Sequence, residues 1–325
     1  MTIGFNVDDE AAWGPTMDRV QAQAAGHRII RGISACREAM PELAALVTSR
    51  LSREDVERAA QLKAVFVPMV GVNHLPLDLL KARGVSIFNS HGNAESVAER
   101  ALALTLAGLG KIVEYHNDLL EGRWHGFWVN RGAEDNWRSI RGVPAAILGV
   151  GAIAQALARL LKAFDCPVKG WRRRDLDQTI PNFDWVGVDL KEALRGAGLV
   201  YAALPSTDLS RGIIDAEALS WMPGAFFVNV GRADTVDEQA LYEALLHGRL
   251  AGAGLDVWYR YPKPGSGDIG MSRFPFRELK NVVLSPHVAG ATDTALRETY
   301  REMGDNILLW LQGRPKNQVD PDLTY

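Results

Sequence analysis

The sequence contains few cysteines and almost no net charge, and each scarcity excludes a class of protein. Only two of the 325 residues are cysteine, Cys36 and Cys166, and neither has a second cysteine or a histidine at the spacing of metal ligands. We therefore expect neither a disulfide framework nor a bound metal. The formal net charge is −3, so the charge balance gives no indication of a nucleic-acid partner.

Long apolar runs are also missing. The longest, residues 101–110, lies between Arg100 and Lys111 and is too short to cross a bilayer. Residues 1–5 show no basic stretch followed by an apolar core, so we expect no signal peptide. By elimination, we expect a cytoplasmic protein without a membrane partner.

What the sequence does contain is a repeated alternation of strand-like runs and helical segments. The alternation occurs twice, separated by a helical tract over residues 95–121 in which Gly108 and Gly110 are expected break points. It predicts an α/β fold with parallel sheets covered by helices on both faces, and the chain length predicts two domains. The predicted strands are residues 2–7, 28–33, 44–48, 64–69, 86–89, 145–148, 168–171, 199–203, 226–230, 254–257 and 282–284, and the predicted helices include 52–60, 77–83, 155–164 and 292–311.

A glycine-rich turn follows the predicted strand 145–148. Gly149 permits the tight turn, Gly151 lets the backbone approach a pyrophosphate, and Ala154 supplies the small third residue. The next helix presents unpaired N–H groups to the phosphates. A plain structural turn is the alternative, but the strand–turn–helix context favours dinucleotide binding. The predicted cofactor contacts here are Gly149, Val150, Gly151, Ala152 and Ile153.

The end of the following strand bears on the choice of cofactor. NAD enzymes usually place a carboxylate there to bind the ribose hydroxyls. This chain instead has Trp171-Arg172-Arg173-Arg174, with no carboxylate before Asp175. Arginines bind a 2′-phosphate through their fork of donors. We predict NADP rather than NAD, bound by Arg172 and Arg173; a solvated basic turn is the alternative.

Three later strands end in side chains suited to hydride transfer. Arg232 and His287 follow predicted strands and Asp256 lies at the end of another, and ligands of open α/β sheets bind at the carboxyl ends of strands. Hydride transfer to a ketone builds negative charge on oxygen, which a guanidinium and a protonatable imidazole stabilise. Singly, each residue has a purely structural alternative. Together, behind the dinucleotide motif, they favour an oxidoreductase that transfers a hydride to a carbonyl group.

These segments, with Leu204-Pro205-Ser206-Thr207, closely resemble the D-2-hydroxyacid dehydrogenase family from about residue 64 to the carboxyl terminus. The resemblance implies two doubly wound parallel-sheet domains. One is a Rossmann NAD(P)-binding domain over residues 94–290. The other is a flavodoxin-like substrate domain formed by residues 1–93 and 291–325, to which the C-terminal helix returns. It also implies a small 2-keto or 2-hydroxy acid as the substrate, an activity like that of glyoxylate/hydroxypyruvate reductases, and a homodimer.

The resemblance further implies a role for individual residues. Arg232 would bind the substrate carboxylate and polarise the carbonyl, His287 would donate the proton, and Asp256 would orient the nicotinamide carboxamide. The remaining implied contacts are Leu204, Pro205 and Val230 in the cofactor groove, Asn93 and Val97 beside the nicotinamide, and the N–H groups of Val70 and Gly71 at the substrate carboxylate.

One departure from the family pattern concerns the partner of the histidine. Tyr261 stands where the family usually has a glutamate that keeps the histidine protonated. We count Tyr261 as a catalytic candidate, because a phenol can orient an imidazole. It cannot supply a negative charge that raises the pKa of His287. We therefore expect His287 to titrate at lower pH than is usual, which would shift carbonyl reduction to lower pH.

Two other functions fit the same residues. A formate-type dehydrogenase needs no proton transfer, and Asn93, Asp256-Val257-Trp258 and the missing glutamate point in that direction. A nucleotide-sensing binding protein, like the C-terminal-binding-protein corepressors, shares the fold, and fold does not dictate function. The sequence shows no tail or linker suited to partner recruitment. It also leaves the identity of the 2-keto acid open.

Overall fold

The computed structural model describes residues 1–174, 179–263 and 270–319 of the chain. The chain divides into two compact units. One consists of Met1–Asn93 with the described part of Ala291–Tyr325, and the other is Ala94–Gly290. Within the described ranges, no helix combines the length and the apolar character needed to cross a membrane.

The helices and strands are numbered here in chain order. The strands are β1 (Thr2–Asn6), β2 (Arg28–Arg31), β3 (Leu43–Thr48), β4 (Ala64–Phe66), β5 (Ser86–Phe88), β6 (Ala145–Leu148), β7 (Val168–Trp171), β8 (Trp185–Gly187), β9 (Leu199–Ala202), β10 (Phe226–Asn229), β11 (Gly252–Leu255), β12 (Val282–Leu284) and β13 (Gln318–Val319). The α-helices are α1 (Glu10–Gln23), α2 (Ile33–Glu38), α3 (Arg53–Arg58), α4 (Leu77–Ala82), α5 (Ala94–Leu109), α6 (Ile112–Leu120), α7 (Ala152–Lys162), α8 (Leu190–Leu194), α9 (Ala216–Ser220), α10 (Glu238–Leu246) and α11 (Asp293–Leu311).

The first unit is built on a sheet with the strand order β13-β5-β4-β3-β1-β2. Strands β1 to β5 are parallel, in the flavodoxin-like order 2-1-3-4-5, and β13 is antiparallel to β5. Side chains of β3 alternate between the two faces. Val47 packs with α1 and α11, whereas Leu46 packs with α2, α3 and α4. Because α11 packs on α1 in this unit, the predicted return of the C-terminal helix is confirmed.

The second unit contains a parallel sheet of order β12-β11-β10-β9-β6-β7-β8. Counted from β6, the strands follow the Rossmann order 3-2-1-4-5-6 with one further strand. Helices α5 and α7 cover one face around Ile147, and α8, α9 and α10 cover the other around Leu148. The order reverses between β6 and β9, which is where such sheets bind ligands. The prediction of two doubly wound parallel-sheet domains is confirmed.

The predicted break in the helical tract 95–121 is confirmed at Gly110, where the tract divides into α5 and α6 and Lys111 takes a left-handed φ of 51°. Other predicted element bounds were wrong. Strand 64–69 ends at Phe66, shortly before Pro68, which cannot donate to a ladder. Strand 254–257 is instead β11, which ends at Leu255 because its pairing with β12 ends there. The predicted helix 155–164 is α7, which begins at Ala152.

Candidate active site

The glycine turn after β6 is shaped for a phosphate. Gly149 has a φ of +100°, and a Cβ there would lie 3.0 Å from the carbonyl oxygen of Ala203. At Gly151 a Cβ would meet nothing within 4 Å, so its backbone faces open space. Gly151 is the N-cap residue of α7 and has no side chain to cap the helix. The first turn of α7, all of whose residues are described, contains no acidic residue. Its N–H groups and positive helix end therefore fit the pyrophosphate of a dinucleotide.

The three arginines that follow β7 differ in how far their side chains are buried. Arg172 is only 9% exposed, and its backbone N–H donates to the carbonyl oxygen of Gly187 (3.0 Å). Arg173 and Arg174 are exposed. Asp175, the next carboxylate in the sequence, lies outside the described residues. An approaching ligand therefore meets the Arg173 side chain more readily than that of Arg172.

Arg232 is fixed by hydrogen bonds that sequence reasoning missed. The Asn229 side chain accepts from the N–H of Gly231 (3.0 Å) and donates to the Arg232 carbonyl oxygen (3.1 Å). The Thr235 hydroxyl donates to the same oxygen (2.7 Å). Gly231 leaves no room for a side chain, because a Cβ would lie 2.6 Å from the carbonyl oxygen of Leu204. The half-buried Arg232 thus projects from a tightly held turn.

Asp256 holds the segment that carries His287. This buried carboxylate accepts from the Ser285 hydroxyl and from the N–H groups of Val288 (3.1 Å) and Ala289 (3.0 Å). Both carboxylate oxygens accept hydrogen bonds, and the donors lie before and after His287 in the chain. The family resemblance implied a cofactor contact for Asp256 and gave no sign of these hydrogen bonds, which depend on a strand pairing.

His287 and Tyr261 are in contact through their rings. Their centroids lie 5.4 Å apart at an interplanar angle of 42°. The Tyr261 hydroxyl accepts a hydrogen bond from the Trp258 N–H (3.2 Å). Among the described residues no carboxylate is hydrogen-bonded to the imidazole of His287. Tyr261 therefore supports the ring by packing, not through its hydroxyl.

The electrostatic surroundings of His287 favour the neutral imidazole. Partial burial lowers the pKa of His287, the positive charge of Arg232 lowers it further, and Asp256 opposes both effects. Burial also raises the pKa of the Tyr261 phenol, which the Trp258 hydrogen bond and Arg232 partly oppose. Arg232 and Asp256 act on both rings, so these four side chains form one electrostatic cluster.

The other predicted contacts lie in several places. Leu204, Val230 and Val97 are buried in the two cores of the second unit, and the Pro205 carbonyl oxygen accepts from the Ser210 hydroxyl (2.6 Å).

In the first unit, Val70 and Gly71 are half-buried in the loop after β4. The Val70 carbonyl oxygen accepts from the Asn89 side chain (2.9 Å). The Asn93 amide oxygen is buried and has no hydrogen-bond partner among the described residues.

Comparison with known proteins agrees with this arrangement. The profile of the D-isomer specific 2-hydroxyacid dehydrogenase, NAD binding domain, matches residues 102–289. Glyoxylate/hydroxypyruvate reductase B of Pectobacterium carotovorum subsp. carotovorum is 31% identical over 280 residues, 84% of each chain. Glyoxylate reductase of Thermofilum pendens is 30% identical over 279 residues, 83% of this chain and 78% of the relative. The crystal structure of an NADPH-dependent glyoxylate/hydroxypyruvate reductase from Sinorhizobium meliloti is similar, with a TM-score of 0.73, 25% identity and 98% of each chain covered.

The chain therefore belongs to the D-isomer specific 2-hydroxyacid dehydrogenase family. Its activity is that of an NAD(P)-dependent oxidoreductase acting on small hydroxy or keto acids. This confirms the enzyme class that the strand-end residues and the glycine turn predicted.

Proposed function

We propose that the protein uses NADPH to reduce a small 2-keto acid, such as glyoxylate or hydroxypyruvate, to the 2-hydroxy acid. The observation that carries the proposal is the clustering of Arg232, Asp256 and His287 after the adjacent strands β10, β11 and β12. The glycine turn follows β6 on the same carboxyl edge of this parallel sheet. That edge is where a dinucleotide and its substrate bind in such folds.

Each residue of the cluster has a proposed task. Arg232 pairs its guanidinium fork with the substrate carboxylate and stabilises the negative charge that develops on the carbonyl oxygen. Because Asn229 and Thr235 already hold its turn, little reorganisation is needed. His287 donates the proton to that oxygen, and Tyr261 packs against its ring. NAD(P)H, when bound, supplies the hydride.

The remaining assignments extend this proposal to both units. Residues 94–290 form the NAD(P)-binding domain, and residues 1–93 with 291–325 form the substrate domain. The buried, unpartnered amide oxygen of Asn93 supports a ligand contact there. The proposed cofactor contacts are Gly149, Val150, Gly151, Ala152, Ile153, Val97, Leu204, Pro205, Val230 and Asp256, and the proposed substrate contacts of the first unit are Val70, Gly71 and Asn93.

The direct test is cofactor oxidation with a panel of acids. The purified protein is mixed with NADPH or NADH and with glyoxylate, hydroxypyruvate or longer 2-keto acids. We expect turnover with the short acids and a higher kcat/KM with NADPH. Tight NADPH binding without turnover of any acid would contradict the proposal, and reduction of the oxidised cofactor by formate would favour a formate-type reaction instead.

The preference for NADPH is attributed to the arginines after β7. Replacing the exposed Arg173 by serine removes a charge-assisted partner of the 2′-phosphate. Such bonds are worth about 1.5–3 kcal/mol, so KM for NADPH should rise about tenfold or more while KM for NADH stays constant. Arg195→Ser, at another exposed arginine of the same unit, is the control and should change neither value. Equal effects of Arg173→Ser on both cofactors would exclude this origin of the preference.

A homodimer is proposed through an exposed apolar surface on α6 and the segment that follows it. His125 fixes that segment by bonding Asp118 (2.8 Å) and Asp135 (2.7 Å). Many large apolar side chains exposed along one segment are typical of protein interfaces. The exposed apolar residues of the surface are Ile112, Val113, Leu119, Leu120, Trp124, Phe127, Trp128, Val129 and Trp137.

The native mass tests the dimer. We expect twice the chain mass of 35.6 kDa for the wild type, and a monomer for Leu120→Glu, because a carboxylate in a dry interface is costly. Leu246→Glu, at an exposed leucine on α10, should remain dimeric. A wild-type protein that sediments as a monomer would refute the dimer.

A further inference from the structure

A chain of polar contacts, partly buried at Arg100 and buried at Ser285 and Asp256, links helix α5 to the segment that carries His287. Arg100 donates to the Ser285 hydroxyl oxygen from Nε (3.3 Å) and Nη2 (3.0 Å). Ser285 is 2% exposed, and its hydroxyl in turn donates to Asp256. Because a guanidinium can only donate and a carboxylate can only accept, the single hydroxyl proton must point towards Asp256. Ser285 thus connects the Arg100 guanidinium to the buried Asp256 carboxylate.

The same chain holds His287 in an unusual backbone conformation. His287 has a φ of +60°, in the left-handed region that non-glycine residues seldom adopt. Such a conformation costs about 1–3 kcal/mol and persists only when its surroundings enforce it. Before His287, Ser285 is tied through its hydroxyl and through its carbonyl oxygen, which accepts from the Trp258 indole N–H (2.8 Å). After it, two backbone N–H groups are tied to Asp256.

We propose that Ser285 is a positioning residue for proton transfer by His287. Its hydroxyl does not contact the substrate. It keeps Asp256 oriented, Asp256 holds the backbone on the far side of His287, and the imidazole is thereby aimed at the carbonyl oxygen. This inference rests on the proposed function, since it requires His287 to be the proton donor.

The experiment compares three variants for reduction of glyoxylate with NADPH. Ser285→Ala should lower kcat about 10- to 100-fold, the effect of misplacing a reacting group by about 1 Å, with KM for glyoxylate changed less than about twofold. Ser285→Thr keeps the hydroxyl and should restore most of kcat. Thr105→Val is the matched control, because it removes another buried hydroxyl bond of the same unit, between Thr105 and Tyr201 (3.0 Å). It should lower Tm without lowering kcat.

Two results would overturn the inference. One is an unchanged kcat in Ser285→Ala, and the other is an equal loss of kcat in Ser285→Ala and Thr105→Val, which would reflect general destabilisation. His287→Ala separates this inference from the proposed function. If His287→Ala retains full activity, the proposed function itself fails. If it loses activity while Ser285→Ala does not, only the positioning role fails.

Discussion

Replacing Arg232 by alanine should lower kcat for 2-keto acid reduction about 10²- to 10³-fold, and should also raise KM. The first effect follows because removal of one preorganised group that stabilises a developing oxyanion has this magnitude. The second follows because the substrate carboxylate loses its cationic partner. Steady-state rates of NADPH oxidation at varied glyoxylate or hydroxypyruvate concentration measure both effects.

Two further substitutions sharpen this test. Arg232→Lys keeps the positive charge but loses the planar fork, so we expect it to recover only part of kcat/KM. Arg249→Ala removes an exposed arginine of the same unit and should leave both constants unchanged. Wild-type rates in Arg232→Ala would mean that the substrate binds elsewhere.

As the pH rises, the rate of carbonyl reduction should begin to fall at a lower pH than it would with a histidine of ordinary pKa. His287 must be protonated to donate, and partial burial and the charge of Arg232 lower its pKa below the usual value of about 6.5. The protonated fraction is therefore lost at lower pH, and reduction slows as the pH rises through that lowered pKa. Oxidation of the 2-hydroxy acid, which needs the neutral imidazole, should persist to correspondingly lower pH. A pH profile of kcat/KM in both directions measures the shift.

Tyr261→Glu should reverse this shift. A carboxylate close to the imidazole raises its pKa, so reduction at alkaline pH should increase about tenfold over the wild type, the effect expected when the protonated fraction grows by one power of ten. Tyr261→Phe keeps the ring contact with His287 and adds no charge, so its pH profile should match that of the wild type. The proposal for His287 would be wrong if the wild type needed an acid with a pKa well above neutrality, or if Tyr261→Glu left the profile in place.

Local patterns in the sequence predicted the glycine turn and the strand ends that form the candidate site. The strand before Gly149 and the need for a residue with positive φ at that place are both readable from neighbouring residues. Arg232, Asp256 and His287 were singled out because each lies at or shortly after the end of an apolar strand, and parallel strands bring their carboxyl ends to one edge. Tyr261 was noticed by its place in the family pattern.

Short edge strands, and the hydrogen bonds that hold the turn carrying Arg232, were harder to predict. Strand β8 has three half-buried residues and β13 has two residues, so neither contains enough apolar alternation to be recognised. Asn229 sits inside an apolar strand, and its neighbours give no hint that its side chain bonds the turn carrying Arg232.

The sequence by itself determined the fold class, the glycine turn and the strand ends that carry the candidate catalytic groups, because these depend on hydrophobic periodicity and on residues a few positions apart. Only the tertiary structure decided which groups support His287. Arg100 and Ser285 are 185 residues apart, and Asp256 reaches the His287 segment through the pairing of β11 with β12. Hydrogen bonds between residues far apart in the chain produce no recognisable sequence pattern, because any polar residue that the fold brings to the right place can make them.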